Sequence, residues 1–363
     1  HAQEGAQAPV LSLSCPSAVL MEKETGTLLY EQNAHQQLEP ASVTKVMTLL
    51  LVMEAVDSGR LSLEDTITVS AYAAGMGGSQ VYLEEGEQMS AAEMIKCVTV
   101  VSANDCAVAL AEHLAGSETA FVAQMNQRAQ ELGMEDTTFL NCTGLPAQGH
   151  VTSAYDIALM SRELILNHPS IREYTTIWMD SIRDGAFGLT NTNRLIRFYQ
   201  GATGLKTGST DGALYCMSAT AERDGMELIA VVMKAPTTAQ RFEDAKALLD
   251  YGFANYALVD VYPDSPLAPI DVLLGTADQV QPQLARDCRL LVRRGEESQI
   301  STRLDLAQDV EAPVEQGQTL GTLEVYVGEE LRDTVPILSA QQVDRLTVPG
   351  IFSRMLRQLL MAD

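Results

Sequence analysis

The sequence predicts an α+β fold, an antiparallel sheet flanked by helices, followed by a small all-β sandwich-like domain and a terminal amphipathic helix. Three observations carry this prediction. Hairpin patterns near residues 17–32 and 213–233 bracket a series of helical segments. From about residue 258, prolines punctuate short strand-like pieces, with no long helical pattern before about 340. The chain then closes on a run with apolar residues on one helical face. The expected division is 1–257, 258–347 and 348–363.

In chain order, Ala18-Val19-Leu20-Met21 and Thr27-Leu28-Leu29-Tyr30 flank the turn Glu24-Thr25-Gly26 as a hairpin. Pro40-Ala41-Ser42-Val43-Thr44-Lys45 then opens an apolar helix that stops at Ser58-Gly59. Residues 61–90 read as short, turn-rich and strand-like, with Gly75-Met76-Gly77-Gly78-Ser79 as a flexible stretch. Ser90-Ala91-Ala92-Glu93 is a capping box opening the next helix. Asn104 or Asp105 is placed to cap a helix from Ala107 to Ala115, and another helix covers 117–133. Residues 141–156 are a loop leading to a helix capped by Thr152 or Ser153; His150 in that loop reads as a residue that orients its neighbours. Strands 213–220 and 228–233 meet at the turn Arg223-Asp224-Gly225. A helix from Thr238 to about Phe253 has Phe242, Ala245, Leu248, Leu249 and Phe253 as its apolar side. Ile270–Leu274 and Leu323–Val327 typify the later strands. At the end, Ile351, Phe352, Met355, Leu356, Leu359 and Leu360 line one face, with Arg354 and Arg357 elsewhere. That is the pattern of a helix lying on an anionic membrane surface, or of one packed on its own domain or a partner.

Composition narrows the function classes. At 363 residues and 46% hydrophobic, the chain buries a sizeable core and suggests two domains. A net charge of -24 excludes a nucleic-acid partner, which needs a basic footprint. No apolar run approaches the ~18 residues of a membrane span. The opening His1-Ala2-Gln3-Glu4-Gly5-Ala6-Gln7 lacks the features of a signal peptide, as in a protein already cleaved from one or in a truncated chain. The six cysteines form no C-x-x-C pair and read as buried thiols; Cys97 and Cys106 would fall on opposite faces of a single helix. The five histidines show no metal-ligand spacing, and no metal or cofactor is expected.

Ser42 and Lys45 are one helical turn apart, so their hydroxyl and amine can share a proton. Serine needs an adjacent base to act as a nucleophile, and lysine is that base only when burial or nearby positive charge lowers its pKa. The helix N-terminus favours negative charge developing beside Ser42. Two further short motifs follow, Ser102-x-Asn104 and Lys206-Thr207-Gly208; the second opens a strand in a chain with only six lysines.

In this order and at these separations, the three motifs resemble those of penicillin-recognising serine enzymes. Pro40-Ala41-Ser42, Gly78-Ser79, Gly144-Leu145-Pro146 with Gly149-His150, and Asn191-Thr192-Asn193 ahead of Gly204-Leu205-Lys206 are similar to the D-alanyl-D-alanine carboxypeptidases among low-molecular-mass penicillin-binding proteins. The likeness covers about residues 15–257 well and the later domains more loosely. It implies that Ser42 attacks the penultimate D-alanine carbonyl of a peptidoglycan stem pentapeptide and that Lys45 takes its proton. It further implies that Ser102 relays a proton to the leaving amine, that Asn104 holds the substrate amide and orients Lys45, and that Lys206 and Thr207 bind the terminal carboxylate. Gly208 would let the substrate lie along the strand, and the backbone N–H groups of Ser42 and Ser209 would form the oxyanion hole. Arg241 is a further candidate for carboxylate recognition, although its position at a helix start reads as surface. Lys45 and Lys206 would lower each other's pKa, which makes the second lysine the expected source of the first one's basicity. β-Lactams would acylate Ser42, and the protein would act on the outer face of a bacterial cytoplasmic membrane.

A β-lactamase is the first rival reading. Its hydrolytic glutamate has a decoy in Glu163, which lies in an ordinary periodic helix. A non-catalytic penicillin-binding sensor or scaffold is the second, and a transpeptidase differs only in the acceptor.

Overall fold

A computed structural model describes residues 11–361, so the opening segment 1–10 lies outside the described residues. The chain divides into two compact units between Ala254 and Asn255. In the first, the hairpin β1 (Ser17–Glu22) and β2 (Leu28–Gln32) is followed by a 3₁₀ turn, Ala41–Thr44, and α1 (Lys45–Asp57). Then come α2 (Ala91–Val101), α3 (Asn104–Ala115), α4 (Glu118–Glu131) and α5 (Ala154–Asn167). β3 (Ala202–Thr210), β4 (Leu214–Arg223), β5 (Met226–Ala235) and α6 (Thr238–Asn255) complete the unit. The sheet order is β2-β1-β5-β4-β3, antiparallel throughout, with Val19 opposite Val231 and Lys206 opposite Ser218.

Sequence explains this layering. Every residue of β1 is buried, as expected for a strand covered on both faces. Helix α1 is apolar nearly all round, which suits a central helix and not an amphipathic one. Val46, Met47, Leu49, Leu50, Val52 and Met53 are all buried, each contributing about 1.5–3 kcal/mol of hydrophobic stabilisation. Around α1 the helices start on side-chain caps: Ser90 on Glu93 N–H, Ser117 on Ala120 N–H and Ser153 on Asp156 N–H.

Two local expectations are revised and one, for residues 61–90, is refined. Helix α3 begins at Asn104, not Ala107, and neither Asn104 nor Asp105 caps it; Ala103 occupies that position without a side-chain bond. Residues 61–90 hold only two three-residue strands, Thr66–Thr68 and Gln88–Ser90, plus the single helical turn Ala71–Ala74. Cys97 and Cys106 sit on different helices, α2 and α3, and both are fully buried. All six cysteines are free and buried.

The second unit is all-β apart from a 3₁₀ turn and its terminal helix. Strands Pro282–Leu284, Glu330–Ser339, Thr319–Val327 and Ile300–Leu306 form one sheet, and Gln279–Val280, Ile270–Leu273 and Asp309–Glu311 another. Separate apolar clusters form around Leu323, Val325, Val335 and Ile337 and around Ile270, Val280, Val314 and Val343. The last helix, α7 (Val348–Leu360), starts ahead of Pro349 because Thr347 caps Gly350 N–H. Its Phe352, Met355, Leu356, Leu359 and Leu360 are exposed. Arg354 is ion-paired with Asp278 and donates to the Gly275 carbonyl at 3.1 Å. Among the described residues no helix is long and apolar enough to cross a membrane.

The start of β1 is tied to α6 by one buried carboxylate. Asp244 accepts the Ser14 and Cys15 N–H groups, each at 2.9 Å. Asp244→Ala would strand both donors and is expected to lower stability by about 2–3 kcal/mol. Urea unfolding followed by the fluorescence of Trp178, the one tryptophan of the chain, would measure this on the first unit.

Candidate active site

Ser42 lies in the 3₁₀ turn that enters α1. In a 3₁₀ turn residues i and i+3 eclipse, so Ser42 stacks directly on Lys45. Lys45 is fully buried. Its Nζ lies 2.9 Å from Ser42 Oγ, 3.0 Å from Ser102 Oγ and 2.9 Å from the Thr143 carbonyl oxygen. Burial pulls its pKa from 10.5 to about 7, against the opposing influence of Cys142 and Asp105. This corrects the expectation that Lys206 sets the basicity of Lys45: desolvation of the amine is the leading cause. A neutral amine has two N–H donors and one lone pair. The Thr143 carbonyl can only accept, so one hydroxyl is free to donate to the lone pair.

Ser102 closes α2 in the left-handed conformation, with φ 62°. Such a residue is strained unless its surroundings hold it, and here its hydroxyl meets Lys45. Asn104 Nδ2 donates to the Gly77 carbonyl at 2.8 Å, and its backbone N–H donates to the Ser79 carbonyl at 2.7 Å. Its Oδ1 is buried without a partner among the described residues, so Asn104 does not orient Lys45 as expected; Ser42, Ser102 and the Thr143 carbonyl hold that amine. Next to it, the buried Asp105 carboxylate accepts the N–H groups of Val81 at 3.2 Å, Leu83 at 3.0 Å and Cys106 at 3.0 Å. The loop 77–83 is therefore shaped around Asn104 and Asp105.

β3 is the edge strand, so one side of it is open to a partner strand. Lys206 is buried, and its Nζ donates to the Thr207 carbonyl at 2.8 Å. Burial first, then the charges of Lys45 and Arg241, hold Lys206 well below an ordinary lysine. Thr207 Oγ1 is 2.7 Å from Thr192 Oγ1. Ser209 is exposed at the end of the motif. Two glycines bring backbone against the Ser42 turn. A Cβ on Gly208 would lie 2.7 Å from Ser42 N and 2.8 Å from Val43 N, and one on Gly144 would lie 1.8 Å from the Ala41 oxygen.

Arg241 is not a surface residue. It is buried, and its Nη1 donates to the Gly208 carbonyl at 3.3 Å, because the side chain reaches from the start of α6 across the Tyr215 ring of β4 to β3. Burial lowers its pKa to about 10. His150 is an internal brace: Nδ1 accepts the Leu140 N–H at 2.9 Å, which leaves Nε2 to donate to Thr44 Oγ1 at 2.8 Å. Burial holds it neutral, with a pKa of about 4. Glu163 is engaged by Arg128 at 2.9 Å. The structure thus brings together Ser42, Lys45 and Ser102, places Lys206, Thr207 and Gly208 along one strand beside them, and brings Arg241 to that strand from α6. Sequence reasoning missed the Thr143 carbonyl, a backbone group whose sole signal was the neighbouring Gly144, and it read Asp105 merely as a possible cap.

The profile of the D-alanyl-D-alanine carboxypeptidase family matches residues 2–237, and that of the penicillin-binding protein 5 C-terminal domain matches 258–345. The D-alanyl-D-alanine carboxypeptidase DacF of Bacillus subtilis is 39% identical over 348 residues, 94% of this chain and 89% of that protein. DacC of Escherichia coli is 32% identical over 97% of this chain and 89% of its own length. Penicillin-binding protein 5 from Haemophilus influenzae superposes with a TM-score of 0.79 at 28% identity, covering 94% of this chain and 100% of that one. Penicillin-binding protein D2 from Listeria monocytogenes, in its ampicillin-bound form, is 37% identical with a TM-score of 0.62, covering 68% of this chain and 100% of that one. The chain belongs to the D-alanyl-D-alanine carboxypeptidase family, the serine peptidases among the low-molecular-mass penicillin-binding proteins.

Proposed function

We propose that the protein removes the terminal D-alanine from peptidoglycan stem pentapeptides through an acyl-enzyme on Ser42. The observation that carries this reading is the buried Lys45 amine, lowered to about 7 and touching both Ser42 and Ser102. Ser42 Oγ attacks the penultimate D-alanine carbonyl as its proton passes to neutral Lys45. The N–H groups of Ser42 and Ser209 hold the oxyanion. As the intermediate collapses, the proton moves through Ser102 to the departing D-alanine amine. Water then attacks the ester, returning a proton through Lys45 to Ser42 and releasing the tetrapeptide.

Substrate binding follows from the edge strand. The peptide extends β3 as an added strand, while the absence of a side chain at Gly208 lets the Ser42 turn close against that strand. Its terminal carboxylate meets Lys206 and Thr207, with Arg241 behind them. An arriving carboxylate would raise the pKa of Lys206 and make it an ammonium where one is needed. The unpartnered Oδ1 of Asn104 accepts a substrate amide N–H. β-Lactams take the place of the terminal dipeptide at the same serine. The protein acts outside the cytoplasm, with residues 348–363 lying on an anionic membrane surface. The exposed apolar face of α7 supports that placement; Arg354 is already paired with Asp278, which leaves Arg357 as the basic group for lipid.

Three outcomes test these statements. Ser42→Ala should reduce D-alanine release from a pentapeptide by at least about 10³-fold, and unaffected release would remove Ser42 as the nucleophile. Acylation by a β-lactam should rise with pH through about 7 as Lys45 loses its proton. In Lys206→Met, which removes charge but little volume, that rise should stay near the same pH while KM increases. A rise displaced upward by a unit or more would make the second lysine, not burial, the source of basicity. Deleting 348–363 should abolish sedimentation with phosphatidylglycerol vesicles and leave pentapeptide hydrolysis intact; retained sedimentation would refute the membrane role of α7.

A further inference from the structure

The segment following Asn191 forms a ledge beside the carboxylate end of the site. Thr192 reaches Thr207 through their hydroxyls, and Asn193 Nδ2 donates to the Gly204 carbonyl at 2.9 Å. The segment is thus pinned to β3 on both sides of Lys206. Asn193 Oδ1 accepts the Leu195 N–H at 3.0 Å and starts the single helical turn Leu195–Phe198. Arg194, Arg197 and Phe198 project from this turn into solvent, Phe198 with 69% of its surface exposed. The Arg197 guanidinium lies over the rings of Trp178, at 5.9 Å, and Phe198, at 5.6 Å, which themselves meet edge to face at 6.0 Å.

Apart from the rings beneath Arg197, these two charges meet no acceptor among the described residues. Every other arginine of the first unit donates to a carboxylate, a hydroxyl or a backbone carbonyl, as Arg60, Arg128, Arg162, Arg172, Arg183, Arg223 and Arg241 show. Arg194 and Arg197 have no such partner among the described residues, in a chain with 48 acidic and 24 basic residues. Arg194 also stands close enough to Arg241 for the two charges to repel. Lys206, Thr207 and Arg241 already provide for the terminal carboxylate of the donor. The ledge adjoins this carboxylate end, which is the leaving-group side of the site. The departing D-alanine is too small to span two guanidiniums and two aromatic rings. A second, longer peptide carrying carboxylates fits both features.

We propose that Arg194 and Arg197, with the Trp178–Phe198 ledge, form a subsite for an anionic acceptor peptide, a second stem whose free amine competes with water for the acyl-enzyme. This rests on the carboxypeptidase reading above. The step balances without a co-reactant. The acceptor nitrogen bonds to the acyl carbon as its proton passes to Lys45, the bond from that carbon to Ser42 Oγ breaks, and the same proton returns to Ser42. The products are a peptide-linked dimer and free enzyme.

The test uses the full chain, a thioester analogue of the donor, and stem tetrapeptide acceptors whose isoglutamate carboxylate is either free or amidated. Wild type should form the linked product from the free-acid acceptor with about five- to tenfold preference over the amide. Arg194→Gln with Arg197→Gln should erase the preference while hydrolysis of the pentapeptide changes less than about twofold, and the corresponding Lys pair, which keeps the charge but not the planar stacking, should restore part of it. No linked product with either acceptor, or a preference retained in the Gln pair, would overturn the subsite. Loss of hydrolysis and linking together in the Gln pair would also overturn it, because the residues would then be supporting the fold. Failure of wild type to release D-alanine from the pentapeptide at all would instead overturn the carboxypeptidase reading.

Discussion

The chemistry depends on holding one amine where water does not reach it. Lys45 is enclosed by the apolar faces of α1 and its neighbours, and an isolated charge there is costly. Its displacement from 10.5 to about 7 corresponds to a penalty on the order of 5 kcal/mol against the protonated form. The enclosure is not indifferent to the proton, however. Ser42, Ser102 and the Thr143 carbonyl give Lys45 three partners, enough for the ammonium when it forms. Both states are therefore accessible near neutrality, which a purely apolar pocket would not allow.

Around that amine the framework is mostly backbone. The Ser42 turn is wedged between the glycine backbones at 144 and 208, and the 77–83 loop is drawn in by the Asp105 carboxylate and by Asn104. Side chains supply the reactive atoms, while main-chain contacts fix where those atoms point. This division suits a site that has to bind an extended peptide, because a strand edge and a turn present N–H and C=O groups at regular spacing. It also accounts for the left-handed Ser102: ending α2 there lets a new helix begin two residues later and brings Ser102 and Asn104 to the same junction.

Much of this was legible in the sequence, for identifiable reasons. The hairpins, the caps at Ser90 and Ser153 and the Ser42–Lys45 stacking are local, and local patterns determine them. Arg241 was misread because its burial depends on reaching Gly208 of β3 and Tyr215 of β4, which no window around residue 241 contains. Asn104 was compatible with a cap, and only the distant 77–83 loop gives its amide a different partner. The Thr143 carbonyl has no side-chain signature at all. The basicity of Lys45 was assigned to a charge because a charge is visible as a residue, whereas desolvation belongs to the assembled core. The ledge at 194–198 escaped notice for a related reason: an arginine looks ordinary until its surroundings show that no carboxylate, hydroxyl or carbonyl accepts from it.

The buried thiols have a practical consequence. Five of them, Cys15, Cys97, Cys106, Cys142 and Cys216, lie in the first unit, and Cys288 lies in the second. A bulky alkylating reagent reaches any of them only when the surrounding structure opens, so the labelling rate at each position reports a local opening free energy. The molecule thus carries internal probes of both units without an engineered cysteine. Cys142, whose carbonyl accepts from Thr48 in the helix that carries Lys45, would register breathing of the wall beside the base. Cys288 would register the second unit alone.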